Sequence, residues 1–94
     1  MSEDISTWFW SKADDNEVES IEIIFFNSGN FVYIHTWENS TEADVDNASG
    51  QYVKTTAGLC FPLYGDIVTG KYIDNTMSFT FSDGEALGEI FFRK

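Results

Sequence analysis

The chain has 94 residues, carries 16 acidic side chains against 5 basic ones, and has a formal net charge of −11. That length fits one domain, residues 1–94, and the acidic surface disfavours nucleic-acid phosphates and anionic lipid heads as partners. An aromatic content of 17% excludes a disordered acidic tail, because such tails are poor in the residues that build a core.

Alternation of apolar and polar residues, the signature of half-buried strands, dominates from the start. Thr7-Trp8-Phe9-Trp10-Ser11 reads as a first strand. Residues 18–26 read as a second, with Ile21, Ile23 and Phe25 on one face and Ser20 and Glu22 on the other. Asn27-Ser28-Gly29-Asn30 supplies a turn in which Gly and Asn can take positive φ, and residues 31–38 return as a third strand. Residues 39–49 are polar and acidic and read as the longest loop. Strands resume at 50–55 and 59–63. The second of these holds Pro62, the only proline, which assigns it to an edge or a strand end. Residues 67–73, 77–81 and 86–93 complete the series, with turns at Gly65-Asp66, Asp74-Asn75 and Ser82-Asp83-Gly84. About eight strands at short intervals predict an all-β fold, an antiparallel up-and-down meander closing into a small barrel.

Two stretches echo each other. Ser49-Gly50-Gln51-Tyr52-Val53 and Thr69-Gly70-Lys71-Tyr72-Ile73 share a small-Gly-x-Tyr-aliphatic pattern. In a strand, glycine two positions before tyrosine lies on the same face. It leaves room for a bulky neighbour or lets the strand bend as a barrel requires.

Chemistry-bearing residues are sparse. Cys60 is the single cysteine, so no intramolecular disulfide can form, and its apolar run predicts a buried small hydrophobe. His35 is the single histidine and reads as a hydrogen-bonded core residue rather than a base or metal ligand. The acidic stretches 14–17 and 42–47 lack the glycine and terminal glutamate of a calcium loop. With no Gly-x-Ser-x-Gly and no P-loop, the expectation is a non-enzymatic protein without cofactor or metal. No apolar stretch approaches the ~20 residues of a membrane span. The start Met1-Ser2-Glu3-Asp4 is not a basic leader, so a cytoplasmic location follows if Met1 is the native start, and export with the leader removed otherwise.

Taken in order, Ser6-Thr7-Trp8, an acidic turn, a strand ending in Phe26, Asn27-Ser28-Gly29-Asn30-Phe31-Val32-Tyr33, the two Gly-x-Tyr strands and a final Phe91-Phe92-Arg93-Lys94 resemble the small bacterial lipocalin-like domains of the calycin group. The resemblance spans roughly residues 6–94 and implies an up-and-down barrel with Trp8 at its floor, covered by Arg93 through a cation–π contact. Ser6 stands where that group usually has glycine. The resemblance also implies a central cavity and, as in many of those domains, a small apolar ligand.

If the strand from Asn30 faces inward as that group suggests, Phe31, Tyr33, His35 and Trp37 share the interior. Trp8, Trp10, Ile21, Ile23, Phe25, Tyr52, Val68, Tyr72, Met77, Phe79 and Phe81 join them. Trp10, Phe31, Tyr33, His35, Trp37, Tyr52 and Tyr72 are then the candidate pocket lining. The same aromatic set serves a packed core, which is the favoured reading, since interiors of small barrels are often filled by their own side chains. Phe9, Ile24, Phe26, Val32 and Ile34 fall on the outer wall, which predicts a cover: a homodimer partner, another protein, or the loop at 38–49. The leading functional expectation is a module enclosing a small apolar or aromatic ligand. The alternative is an acidic protein-interaction module that inhibits or neutralises a basic protein partner.

Overall fold

A computed structural model describes residues 5–56 and 58–94; the acidic start at residues 1–4 lies outside the described residues. Nine strands follow in order: β1 (Ile5–Ala13), β2 (Glu17–Phe26), β3 (Asn30–Asn39), β4 (Ala43–Gln51), β5 (Val53–Thr55), β6 (Gly58–Leu63), β7 (Asp66–Ile73), β8 (Thr76–Phe81) and β9 (Phe91–Arg93). They form one sheet in the order β4-β3-β2-β1-β9-β8-β7-β6-β5, and every pairing is antiparallel.

The two terminal strands of that sheet, β4 and β5, are consecutive in the chain and separated only by Tyr52. One run of backbone therefore pairs with β3 along its first part and with β6 along its last. The sheet curls until its edges meet in the same segment, giving a nearly closed barrel. Tyr52 stands at the change of partner. Its N–H donates to the Gly29 carbonyl at 2.9 Å and its hydroxyl to the Phe26 carbonyl at 2.7 Å, which ties the switch to the β2–β3 turn. Counted as one stave broken at Tyr52, β4 and β5 reduce the nine strands to the meander expected from the alternation.

The interior follows from the period of two. Ile21, Ile23 and Phe25 of β2 and Phe31 and Tyr33 of β3 are buried, as are Leu59, Phe61 and Leu63 of β6, Val68 of β7, and Met77 and Phe79 of β8. Ring contacts run through the middle: Phe31 to Phe61 at 4.8 Å, Phe61 to Phe79 at 5.8 Å, and Phe79 to Phe91 at 4.9 Å. Each such pair contributes about 0.5–1.5 kcal/mol beyond the area it buries. The Gly-x-Tyr echo has a structural cause. Gly50 pairs with Phe31 across β3–β4, and Gly70 pairs with Phe79 across β7–β8. In both places the missing side chain makes room for a phenyl ring.

Two segments differ from the sequence expectation. Residues 43–49, expected as loop, belong to strand β4, which runs over Ala43–Gln51. Their side chains at 43–47 are exposed, so no apolar alternation marks the strand, and the β3 ladder holds it. An Asx turn starts it: the Asn39 side-chain oxygen accepts from the N–H of Thr41 at 2.9 Å and of Glu42 at 2.7 Å. Strand β4 extends the sheet beside β3 and is not a cover for the outer wall. Phe9, Ile24, Phe26, Val32 and Ile34 are left half-buried, and Phe92 exposed. The last strand is also shorter than expected. Phe91–Arg93 forms the strand, while residues 82–90 fold back at the end of β8, where Ala86 makes an isolated antiparallel bridge to Thr80. Gly88, at φ 65, lets the chain turn there beneath Trp10, and Leu87 is buried as part of the core.

Cys60 is half-buried, not buried as expected, because Leu59 and Phe61 take the inward positions of β6. Its sulfur lies 3.6 Å from the Thr69 hydroxyl. Pro62 is exposed on β6 beyond the point where the β5 ladder stops at Cys60, so no ladder donor is needed on that side.

Candidate functional site

Antiparallel staves give the barrel two ends with different composition. The β1–β2, β3–β4 and β6–β7 turns and the segment 82–90 gather at the apical end; the β2–β3, β5–β6 and β7–β8 turns and the end of β9 gather at the basal end.

The expected pocket residues divide into three groups along this axis. Trp10, Phe31 and Tyr33 are buried in the packed core. His35 and Trp37 reach the apical mouth, where each is held by a β2 carboxylate: His35 Nε2 lies 2.7 Å from Glu19, and the Trp37 indole N–H donates to Glu17 at 3.0 Å. The reading of His35 as a hydrogen-bonded residue agrees with this contact, although the side chain is only partly buried. Between the core and this mouth, burial and then the neighbouring Tyr64 hydroxyl push the Tyr33 phenol well above its ordinary pKa. Two apical recesses are walled by acids, among them Asp14, Glu17 and Glu19 in one and Asp14, Asp15, Glu17 and Glu38 in the other. Among the described residues no group of His, Cys, Asp and Glu is arranged to hold a metal ion.

Tyr52 and Tyr72, the third group, meet at the basal end. A recess of ≈ 180 Å³ is walled by Phe25, Tyr52, Leu59 and Tyr72, with Ser6, Asn27, Lys54 and Arg93 as its polar groups. An adjoining open recess of ≈ 410 Å³ shares Lys54, Leu59 and Tyr72 and adds Thr55, Thr56, Gly58 and Lys71. The larger volume is of the size that holds a small organic molecule. Tyr72 is 55% exposed, not interior as expected, because β7 runs past the end of the core after Gly70. Its ring meets Trp8 edge-on at 5.7 Å, and Tyr52 meets Phe25 edge-on at 5.0 Å. The two Gly-x-Tyr units thus do two jobs. Their glycines accept core rings, and their tyrosines form the basal wall.

Arg93 lies over Trp8 with its guanidinium carbon 5.7 Å from the ring centroid, the arrangement implied by the lipocalin-like resemblance. Sequence reasoning gave Arg93 a structural part only and passed over Lys54, Lys71 and Leu59. The available signal was the position of Lys54 two residues beyond Tyr52, on the same strand face, and of Lys71 beside Tyr72. No family model, curated protein or solved structure matches the chain.

Proposed function

We propose that this chain is a non-enzymatic binding module that takes a small ligand with an apolar or aromatic body, and that the ligand sits at the basal end of the barrel instead of along its axis. One observation carries this reading. The axis is filled by Phe31, Phe61, Phe79 and Phe91, whereas Tyr52, Tyr72, Phe25 and Leu59 still border open space at the base. Pockets for small molecules combine such apolar walls with a few polar groups that fix orientation.

Titration with the neutral fluorophore N-phenyl-1-naphthylamine tests it, with quenching of tryptophan fluorescence as a second signal, since Trp8 touches Tyr72. Saturable one-to-one binding that Tyr72→Ala weakens is the expected result. Non-saturable binding, or binding indifferent to Tyr72→Ala and Tyr52→Ala, would remove the basal site.

A second reading, an acidic module that docks on a basic protein, is favoured by the apical carboxylates Asp14, Asp15, Glu17 and Glu38 gathered around open recesses. It predicts association with a basic protein that weakens as salt rises. Neutralising the exposed Glu42, just before β4, and Asp44 and Asp46 on it would reduce that association.

A further inference from the structure

We infer that the basal site is built for an anion: an amphipathic molecule with one anionic head and an apolar or aromatic body. This inference rests on the binding-module reading above and adds the chemical class of the ligand. The argument starts from charge. In a chain with 16 acids and 5 bases, an average surface recess would be lined by carboxylates. The apical recesses are, with Lys12 as the single cation among their lining acids. At the base the balance inverts: Lys54, Lys71 and Arg93, three of the 5 basic residues, line the two recesses, and among the described residues no Asp or Glu lines either.

These cations come from β5, β7 and β9, so their meeting is a product of the barrel's closure and not of local sequence. Among the described residues none of the three takes part in an ion pair with a carboxylate. Lys94, by contrast, is paired with Glu22 at 3.0 Å. Clustering like charges without counter-charges costs stability, and an arriving anion relieves that cost. The neutral groups beside them suit the same head: Ser6 and Asn27 in the smaller recess and Thr56 in the larger can each donate a hydrogen bond. Phe25, Leu59, Tyr52 and Tyr72 supply the apolar wall for the body. Arg93 serves both purposes, since its guanidinium stacks on Trp8 and borders the recess.

A matched pair of probes separates this inference from the reading beneath it. 1-Anilinonaphthalene-8-sulfonate carries a sulfonate on the same aromatic frame as neutral N-phenyl-1-naphthylamine. The full chain at low salt is titrated with each. The sulfonate probe is expected to bind about tenfold more tightly, the effect of one charge-assisted hydrogen bond. That preference is expected to fall as salt rises and to collapse in Lys54→Gln/Lys71→Gln. Arg93→Gln should act in the same direction and Arg93→Lys should restore much of the preference, which guards against a loss caused by unfolding. Asp15→Asn/Glu38→Gln, which changes net charge at the apical end, should leave the preference intact. Equal binding of the two probes, or a preference that the apical and basal variants alter alike, overturns the anion inference and leaves the binding module standing. Failure of both probes to bind removes the binding module itself.

Discussion

Gly70 stands directly across the β7–β8 ladder from Phe79, and the Phe79 ring fills the space that a side chain at position 70 would need. A Cβ there would lie 2.5 Å from Phe79 Cε1 and 2.9 Å from Met77 Cε, both belonging to fully buried side chains. The backbone at Gly70 is not in the left-handed region, so the demand for glycine comes from packing alone. Gly70→Ala is expected to destabilise the fold by about 1–3 kcal/mol through overpacking. Gly50→Ala should cost less, because the corresponding approach to Phe31 is 3.1 Å and a single ring can yield. Urea unfolding followed by circular dichroism measures both, and an equal loss at the two sites would refute the packing argument.

The same pair shows what the sequence could disclose. Alternation identified Ile21, Ile23 and Phe25, and with them Val68, Met77 and Phe79, as inward residues, because each strand must bury one face. It could not disclose β4, whose side chains at 43–47 are exposed and which is a strand only because β3 offers a free ladder. Leu87 was equally hidden, because the strand expected over residues 86–93 gives way there to a fold-back in which Leu87 becomes core. The basal site was half legible. Tyr52 and Tyr72 were visible through their repeated motif, but the convergence of Lys54, Lys71 and Arg93 depends on which strands become neighbours, and local pattern does not encode that.

Tyr33 offers a test by pH. Burial and the nearby Tyr64 hydroxyl raise its pKa in the folded state above the ordinary 10.0, so folding favours the protonated phenol. The stability linked to this group is therefore fully present below pH 10.0 and is lost as pH climbs from there toward the folded pKa. Spectrophotometric titration of phenolate should show one of the four tyrosines resisting ionisation until the protein unfolds. In Tyr33→Phe the resistant phenol should vanish and the decline of stability above pH 10.0 should become shallower. Four tyrosines titrating together in folded protein would contradict the burial of Tyr33.

The His35–Glu19 contact, short as it is at 2.7 Å, joins side chains that are 26% and 40% exposed. Water screens such a pair and competes with it, so a double-mutant cycle with His35→Ala and Glu19→Ala should yield a coupling of about 0.2–1 kcal/mol. A coupling several times larger would mean that the apical mouth is drier than its exposure indicates.

Arg93 and Trp8 are cross-strand partners of β9 and β1, where the thin ladder of a three-residue strand closes the sheet between β1 and β8. Trp8 is 2% exposed, whereas Arg93 is exposed, so the guanidinium acts as a lid on a buried ring. The contact combines the cation–π attraction with packing of the arginine stem, and different substitutions separate the two. Arg93→Met keeps an apolar stem and removes the charge, which should cost about 0.5–1 kcal/mol, the value of a cation–π pair at an accessible site. Arg93→Ala removes both and should cost more, because the stem no longer shields Trp8 from water. Arg93→Lys should fall between wild type and Met, since an ammonium lacks the planar stacking face. Thermal unfolding gives this order, and tryptophan emission should shift to longer wavelength in the alanine variant before it does in the methionine one. If methionine matches wild type in both measurements, the charge contributes nothing to closure and Arg93 is held at the base by packing alone.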